Sequence, residues 1–286
     1  MLLSRVKFWI KQEKSISEIV GLVLLITAIA IGLFGRFIAP YPPDEMFGSP
    51  FEASSSAHIF GLDYVGRDVL SRFLCGGQTS IAIALVGTVV GQAIGIATGL
   101  ISAFRGGWLD SILGRFTDLI LAFPALILSL LLLATFGTSI FLVVVAIVIT
   151  TAPGAARVTR SAAQEHVKLP YVEAARARGE SDSFIMALEI LPNIKSLLFV
   201  DIGFRVSSSL VLVSALSFVG LGLQPPAADW GLMIGENRLG LTLQPWPVLV
   251  PACAIMFLTI GLNLIIDSRQ LSVLKKSIAT ELSSHV

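Results

Sequence analysis

Charge is what this chain has least of. Only 14% of its 286 residues are Asp, Glu, Lys or Arg, against about 25% in ordinary soluble domains. Hydrophobic residues make up 55%, and the mean hydropathy is +0.85. A chain this long could bury a large core in water, but so few charges could not coat that core, so lipid must face much of its surface. A net charge of +1 with no basic run leaves nothing for a nucleic-acid partner to bind. Cysteine is almost missing. Cys75 and Cys253 lie far apart and read as small apolar residues of packed helices, not as a disulfide or a reactive thiol. Histidine is as scarce: His58, His166 and His285 lack metal-ligand spacing, and none falls in a long apolar run. An intramembrane enzyme built on a His/Asp/Ser constellation is therefore not expected. No G-x-x-x-x-G-K-S/T phosphate loop is present, so this chain is not expected to hydrolyse ATP by itself. The first apolar stretch is followed by Gly-Arg-Phe-Ile-Ala-Pro from Gly35 to Pro40, not by an A-x-A-like cleavage site, and reads as a retained span.

What is abundant is long hydrophobic runs. A membrane-crossing helix needs about 20 mainly apolar residues, and six stretches qualify: Ile19–Ile38, Ser80–Phe104, Ile112–Phe136, Ile140–Arg157, Ser196–Val219 and Val248–Ile266. Arg115 and Asp118, one turn apart in the third, are expected to pair with each other at the interface. The basic residues are unevenly shared among the loops. Arg5, Lys7, Lys11, Lys14, Arg269, Lys275 and Lys276 fall on the same side as Arg105, Arg115, Arg157, Arg160, Lys168, Arg176, Arg178 and Lys195, while only Arg36, Arg67, Arg72 and Arg238 fall on the other. By the positive-inside rule both termini are predicted to be cytoplasmic.

Three local patterns stand out. Gly87, Gly91, Gly95 and Gly99 recur every four residues and share one helix face, which predicts close helix packing, with a substrate groove as the lesser alternative. Asp201 and Arg205 form an i, i+4 pair inside the fifth span, either a structural pair or part of a gate. The third pattern is the long charged loop at 158–195. There Ala174, Ala175 and Ala177 favour a helix that Gly179 ends in a left-handed turn. Ser181 is placed to cap a second short helix, and Pro192 to stop it. Phe184, Ile185, Leu188 and Leu191 predict an apolar stripe on that second helix, suited to docking against a partner.

Glu173-Ala174-Ala175, Gly179, Leu191 and Pro192 resemble the "EAA" loop of binding-protein-dependent ABC-transporter permeases, E-A-A-x-x-x-G followed after nine residues by I-x-L-P. The sequence departs from that pattern at Glu189, with Ile190 one place later. Further stretches are similar to the dipeptide/oligopeptide/nickel branch of the family, in its C-type subunit: Gly61–Arg72, Phe104–Asp110, Phe123-Pro124, Ala215–Gly222, Gln224–Pro226 and Trp230-Gly231.

The resemblance implies an all-α polytopic membrane protein of the six-helix type I importer permease fold. It implies an N-terminus and peripheral first helix over 1–40, an external segment over 41–78, a five-helix core over 79–267 containing the coupling loop 158–195, and a cytoplasmic tail over 268–286. Implied partners are a second, unlike permease, two ATP-binding subunits that carry ATP and Mg, and an external solute-binding protein. This chain would bind no cofactor or metal, and would sit in a bacterial cytoplasmic membrane. Gly61–Arg72 is expected to be an interfacial helix with Asp63, Arg67 and Asp68 pairing locally, with contact to the binding protein as the alternative. Trp230, Met233 and Trp246 are candidates for contact with the binding protein, or for anchors at the membrane interface. Peptides are the first expectation for the solute, followed by glutathione-like compounds, nickel chelates and opines. A secondary transporter or a channel not driven by an ATPase is the alternative, but neither inverted repeats with midplane carboxylates nor a polar filter motif is evident.

Overall fold

The computed structural model describes residues 2–284, with side chains described over 16–268 apart from Leu33. The basic residues expected to orient the termini (Arg5, Lys7, Lys11, Lys14, Arg269, Lys275, Lys276) have side chains outside that range, and His285 lies outside the described residues. Ten α-helices follow in order among the described residues: α1 (Leu2–Ile38), α2 (Val69–Arg105), α3 (Gly107–Leu121), α4 (Ala125–Phe136), α5 (Ile140–Val167), α6 (Pro170–Ala177), α7 (Asp182–Phe184), α8 (Leu191–Val219), α9 (Trp230–Asn237) and α10 (Trp246–Ser284). A π-helical segment, Ile185–Ile190, joins α7 to α8, and a 3₁₀ turn, Arg238–Gly240, follows α9.

Among the described residues, four continuous helices are long and apolar enough to cross a membrane: Val69–Arg105, Ile140–Val167, Asp182–Val219 and Trp246–Ser268. Ile16–Gly32 is a shorter apolar helix. The third expected span is not one helix. It breaks into α3 and α4, bent by 86°. Pro124 causes the break, since it lacks an N–H and its ring disfavours helical geometry at Phe123. At 12 residues α4 rises about 18 Å, well short of a 30 Å hydrocarbon core.

The chain forms two compact units, residues 1–81 with 226–286, and residues 82–225. In the first, α1 packs along α10, and the helices meet where Gly21 and Gly261 face each other; a Cβ on either would lie 3.0 Å from the other's carbonyl oxygen. In the second, the glycine stripe of α2 lies against α5. Cβ atoms built at Gly87, Gly91, Gly95 and Gly99 would lie within 2.9 Å of Ile147, Thr151, Ala155 and Thr159 respectively. Those four are themselves spaced by four, so the glycine row of α2 gives the matching row of α5 room to pack close against its backbone.

Candidate functional site: the 158–195 loop and the buried polar clusters

The loop begins where α5 ends. Pro170 opens α6 at a position where a missing N–H costs nothing. Gly179, with φ of 81°, closes it: its N–H donates to the Arg176 carbonyl and the Glu180 N–H to the Ala175 carbonyl, the paired bonds of a Schellman turn. Ser181 then caps α7 by accepting from the Phe184 N–H at 3.3 Å.

Beyond that point the structure corrects the sequence reading. Pro192 does not stop the helix; the run from Asp182 to Val219 is continuous. The reason is the π turn, in which the Leu191 N–H donates to the Met186 carbonyl five residues back. This widening gives the Pro192 ring room that a tight α turn would deny, and the Asn193 amide donates to the Glu189 carbonyl at 2.6 Å. The π register also re-sorts the expected apolar stripe. Ile185 and Ile190, five apart, are both fully buried, whereas Phe184 and Leu188 are 38% and 60% exposed and Leu191 is half-buried. The departure at residue 189 is absorbed in this way. Ile190 reaches the core one place late, and Glu189 accepts from the Arg178 guanidinium at 3.2 Å.

The inner face of the loop packs into a core of Val172, Ala175, Ile185, Ile190, Ala163 and Phe104. The two isoleucines alone contribute roughly 1.5–3 kcal/mol each by burial. The Arg176 guanidinium lies over the Phe104 ring at 4.7 Å. The outer face carries Glu173, Ala174, Gly179, Phe184, Leu188 and Pro192, all exposed. The result is a rigid knuckle with an apolar, charge-ringed outer surface.

Asp201 and Arg205 do pair, at 2.7 and 2.9 Å, but within a wider lock. Gln92 on α2 donates to Asp201 at 3.0 Å, and Arg205 donates to the Thr151 carbonyl of α5 at 3.2 Å. Sequence reasoning missed Gly154, where a Cβ would lie 2.6 Å from the Arg205 guanidinium. The pair therefore ties three helices together. Asp118, expected to pair with Arg115, is ion-paired to Arg157 instead, because α3 turns its acidic face towards α5. Asp110 likewise binds Arg160, at 2.5 and 2.6 Å.

In the other unit the Gly61–Arg72 stretch is not a helix before Val69. Two isolated β-bridges, Met46 with Arg67 and Leu62 with Asp68, hold it. Asp68 caps α2 through the Ser71 N–H and hydroxyl and also meets His58, so its partners are not those expected. Arg67 pairs with Asp63 at 2.8 Å, and Arg67 and Arg72 both reach Glu236 in the last turn of α9. The Tyr64 hydroxyl donates to Glu236 as well, and burial, then this carboxylate, push its pKa above the ordinary phenol value. Trp230 and Met233 are corrected here, since they are 1% and 0% exposed and not available to a partner. Trp230 stacks on Phe73, and its indole N–H donates to the Phe73 carbonyl at 2.9 Å. Trp246 stays 41% exposed, and Leu239 and Leu243, at 89% and 74%, form an exposed apolar tip that the sequence did not single out.

The described residues thus form a helical chain with several helices long and apolar enough to cross a membrane, and between two of them a loop that presents an exposed apolar face. Residues 95–270 match the family described as binding-protein-dependent transport system inner membrane component, and the chain belongs to that family. It is 33% identical over 263 residues to the glutathione transport system permease protein GsiD of Pectobacterium atrosepticum, covering 91% of this chain and 87% of the relative, and equally to GsiD of Escherichia coli. Its fold is similar to that in inward-facing conformations of the MetNI methionine ABC transporter (TM-score 0.52, 16% identity, 69% of this chain and 96% of that one). A similar match is an amino acid ABC transporter with histidines (TM-score 0.52, 20% identity, 70% and 94%). The chain is thus a permease subunit of an ABC importer, in the inner membrane.

Proposed function

We propose that this chain forms half of a translocation pore with a second, unlike permease, and that the 158–195 loop takes up the motion of an ATP-binding subunit. ATP and Mg reside on two such subunits, and an external solute-binding protein delivers the cargo. The observation that carries this reading is the two-faced loop, with Ile185 and Ile190 fully buried beneath exposed Phe184 and Leu188. A loop packed this firmly transmits a push, and a merely connecting loop has no need of an apolar outer face.

Both termini are placed in the cytoplasm on the charge asymmetry of the loops. A cysteine at Ser183 should then label only after permeabilisation, and one at Leu239 from outside. The cargo class is a small peptide of the glutathione kind, in line with what the most similar relatives are named for. The exposed tip at Leu239, Leu243 and Trp246 is the surface offered to the binding protein.

The test is ATP-dependent uptake of labelled glutathione and of dipeptides into vesicles holding the complete transporter. Uptake should persist with an uncoupler and vanish with Leu188→Glu at unchanged protein level. Uncoupler-sensitive, ATP-independent uptake would overturn the reading.

A further inference from the structure

A cavity of about 810 Å³ is lined by residues of α2, α3, α4 and α5. Its lining is mostly apolar, with residues such as Leu113, Ile120, Leu128 and Ile149, and it also includes Arg115, Arg157 and Arg160 with Asp110 and Asp118. Two of these arginines are spoken for: Arg160 binds Asp110 and Arg157 binds Asp118. Arg115 is exposed and, among the described residues, has no ion-pair partner, so the cavity carries one unmatched positive charge.

The helix above the cavity is built for a lipid boundary. Trp108, Ile112, Phe116 and Leu119 follow one another at helical spacing along α3, with Phe123 just beyond its end, and all are more than half exposed. Its acidic residues point the other way, to α5. With its 86° turn from α4 and a tryptophan at its start, α3 has the character of a helix lying in the interfacial plane.

We infer that this cavity is a binding site for an anionic phospholipid, its phosphate on Arg115 and an acyl chain along the apolar part of the lining. One unmatched cation complements a headgroup of one net negative charge. A peptide cargo would instead require partners for both a carboxylate and an ammonium, and the carboxylates lining the cavity, Asp110 and Asp118, are already engaged by arginines.

The experiment is native mass spectrometry of the complete transporter in detergent, titrated with phosphatidylglycerol or with phosphatidylcholine of the same chains. The transporter should retain phosphatidylglycerol at least fivefold more than phosphatidylcholine. Arg115→Gln should abolish that preference and Arg115→Lys should keep most of it, both at normal protein level, because Arg115 is exposed. Free glycerol phosphate should not displace the lipid. Equal retention of the two lipids, an unchanged preference in Arg115→Gln, or displacement by glycerol phosphate would each overturn the site. Glutathione competing with the lipid would also overturn it, by assigning the cavity to cargo.

Discussion

Arg67 just before α2, Arg72 in its first turn, and Arg178 of the 158–195 loop are all ion-paired to carboxylates, yet in opposite surroundings. The first two side chains are 6% and 0% exposed and converge on Glu236, itself 9% exposed. The third is 53% exposed between Glu180 and Glu189. The glycines repeat the contrast. Gly66 and Gly179 have nearly the same left-handed backbone, φ of 86° and 81°. A Cβ on Gly66 would strike the Gly48 carbonyl at 2.2 Å, whereas one on Gly179 meets nothing within 4 Å. Charged, glycine-rich stretches of similar appearance thus do two jobs. One is closed on itself and holds the fold, and the other is left open for a partner.

The sharpest way to break that comparison is Glu236→Ala. It leaves two buried guanidiniums with a single carboxylate, Asp63, between them, and an uncompensated buried charge of this kind costs roughly 3–5 kcal/mol, a large share of typical stability. The full-length protein should largely disappear from membranes, and normal abundance on immunoblots would show that the network is dispensable. Gly66→Ala comes next, because steric conflict adds to the cost of about 1–2 kcal/mol for a left-handed residue with a Cβ. It should lower thermal stability clearly more than Gly179→Ala does in the same assay, and equal shifts would erase the distinction between the two turns.

Gly179→Val carries only the conformational cost within this chain, so its abundance should stay near normal. Uptake and the stimulation of ATP hydrolysis by loaded binding protein should nonetheless fall by an order of magnitude or more. Gly179→Asn, which tolerates the left-handed region, should retain most activity. Full activity in the valine variant would reduce the loop to a connector. The smallest expected effect is that of Arg178→Ala, where an exposed pair is worth about 0–1 kcal/mol; a melting shift of many degrees would mean that its surroundings are closed after all.

Much of this was legible from residues alone. The membrane setting follows from charge scarcity and from the length of the apolar runs. The glycine stripe announces a close helix contact because residues without a side chain, repeated every four positions, clear one whole helix face for a neighbour. Ser181 and Gly179 act locally, through their own backbone bonds, and so behaved as their neighbours in sequence predict. The misreadings share one cause. Arg115 with Asp118, the stop at Pro192 and the surface role of Trp230 and Met233 were all inferred from neighbours along the chain, and each was decided by neighbours in space.

Sequence by itself determined the class of protein, the approximate span positions and the turn at Gly179, since hydropathy and backbone preference are properties of short stretches. Tertiary structure decided that α3 bends away at Pro124 and gives Asp118 to Arg157. It also decided that a π turn carries Ile190 into the core and Glu189 to Arg178, and that Arg67 and Arg72 find Glu236 more than 160 positions away. Those outcomes depend on which side chain occupies the space opposite, and no window along the chain contains that information.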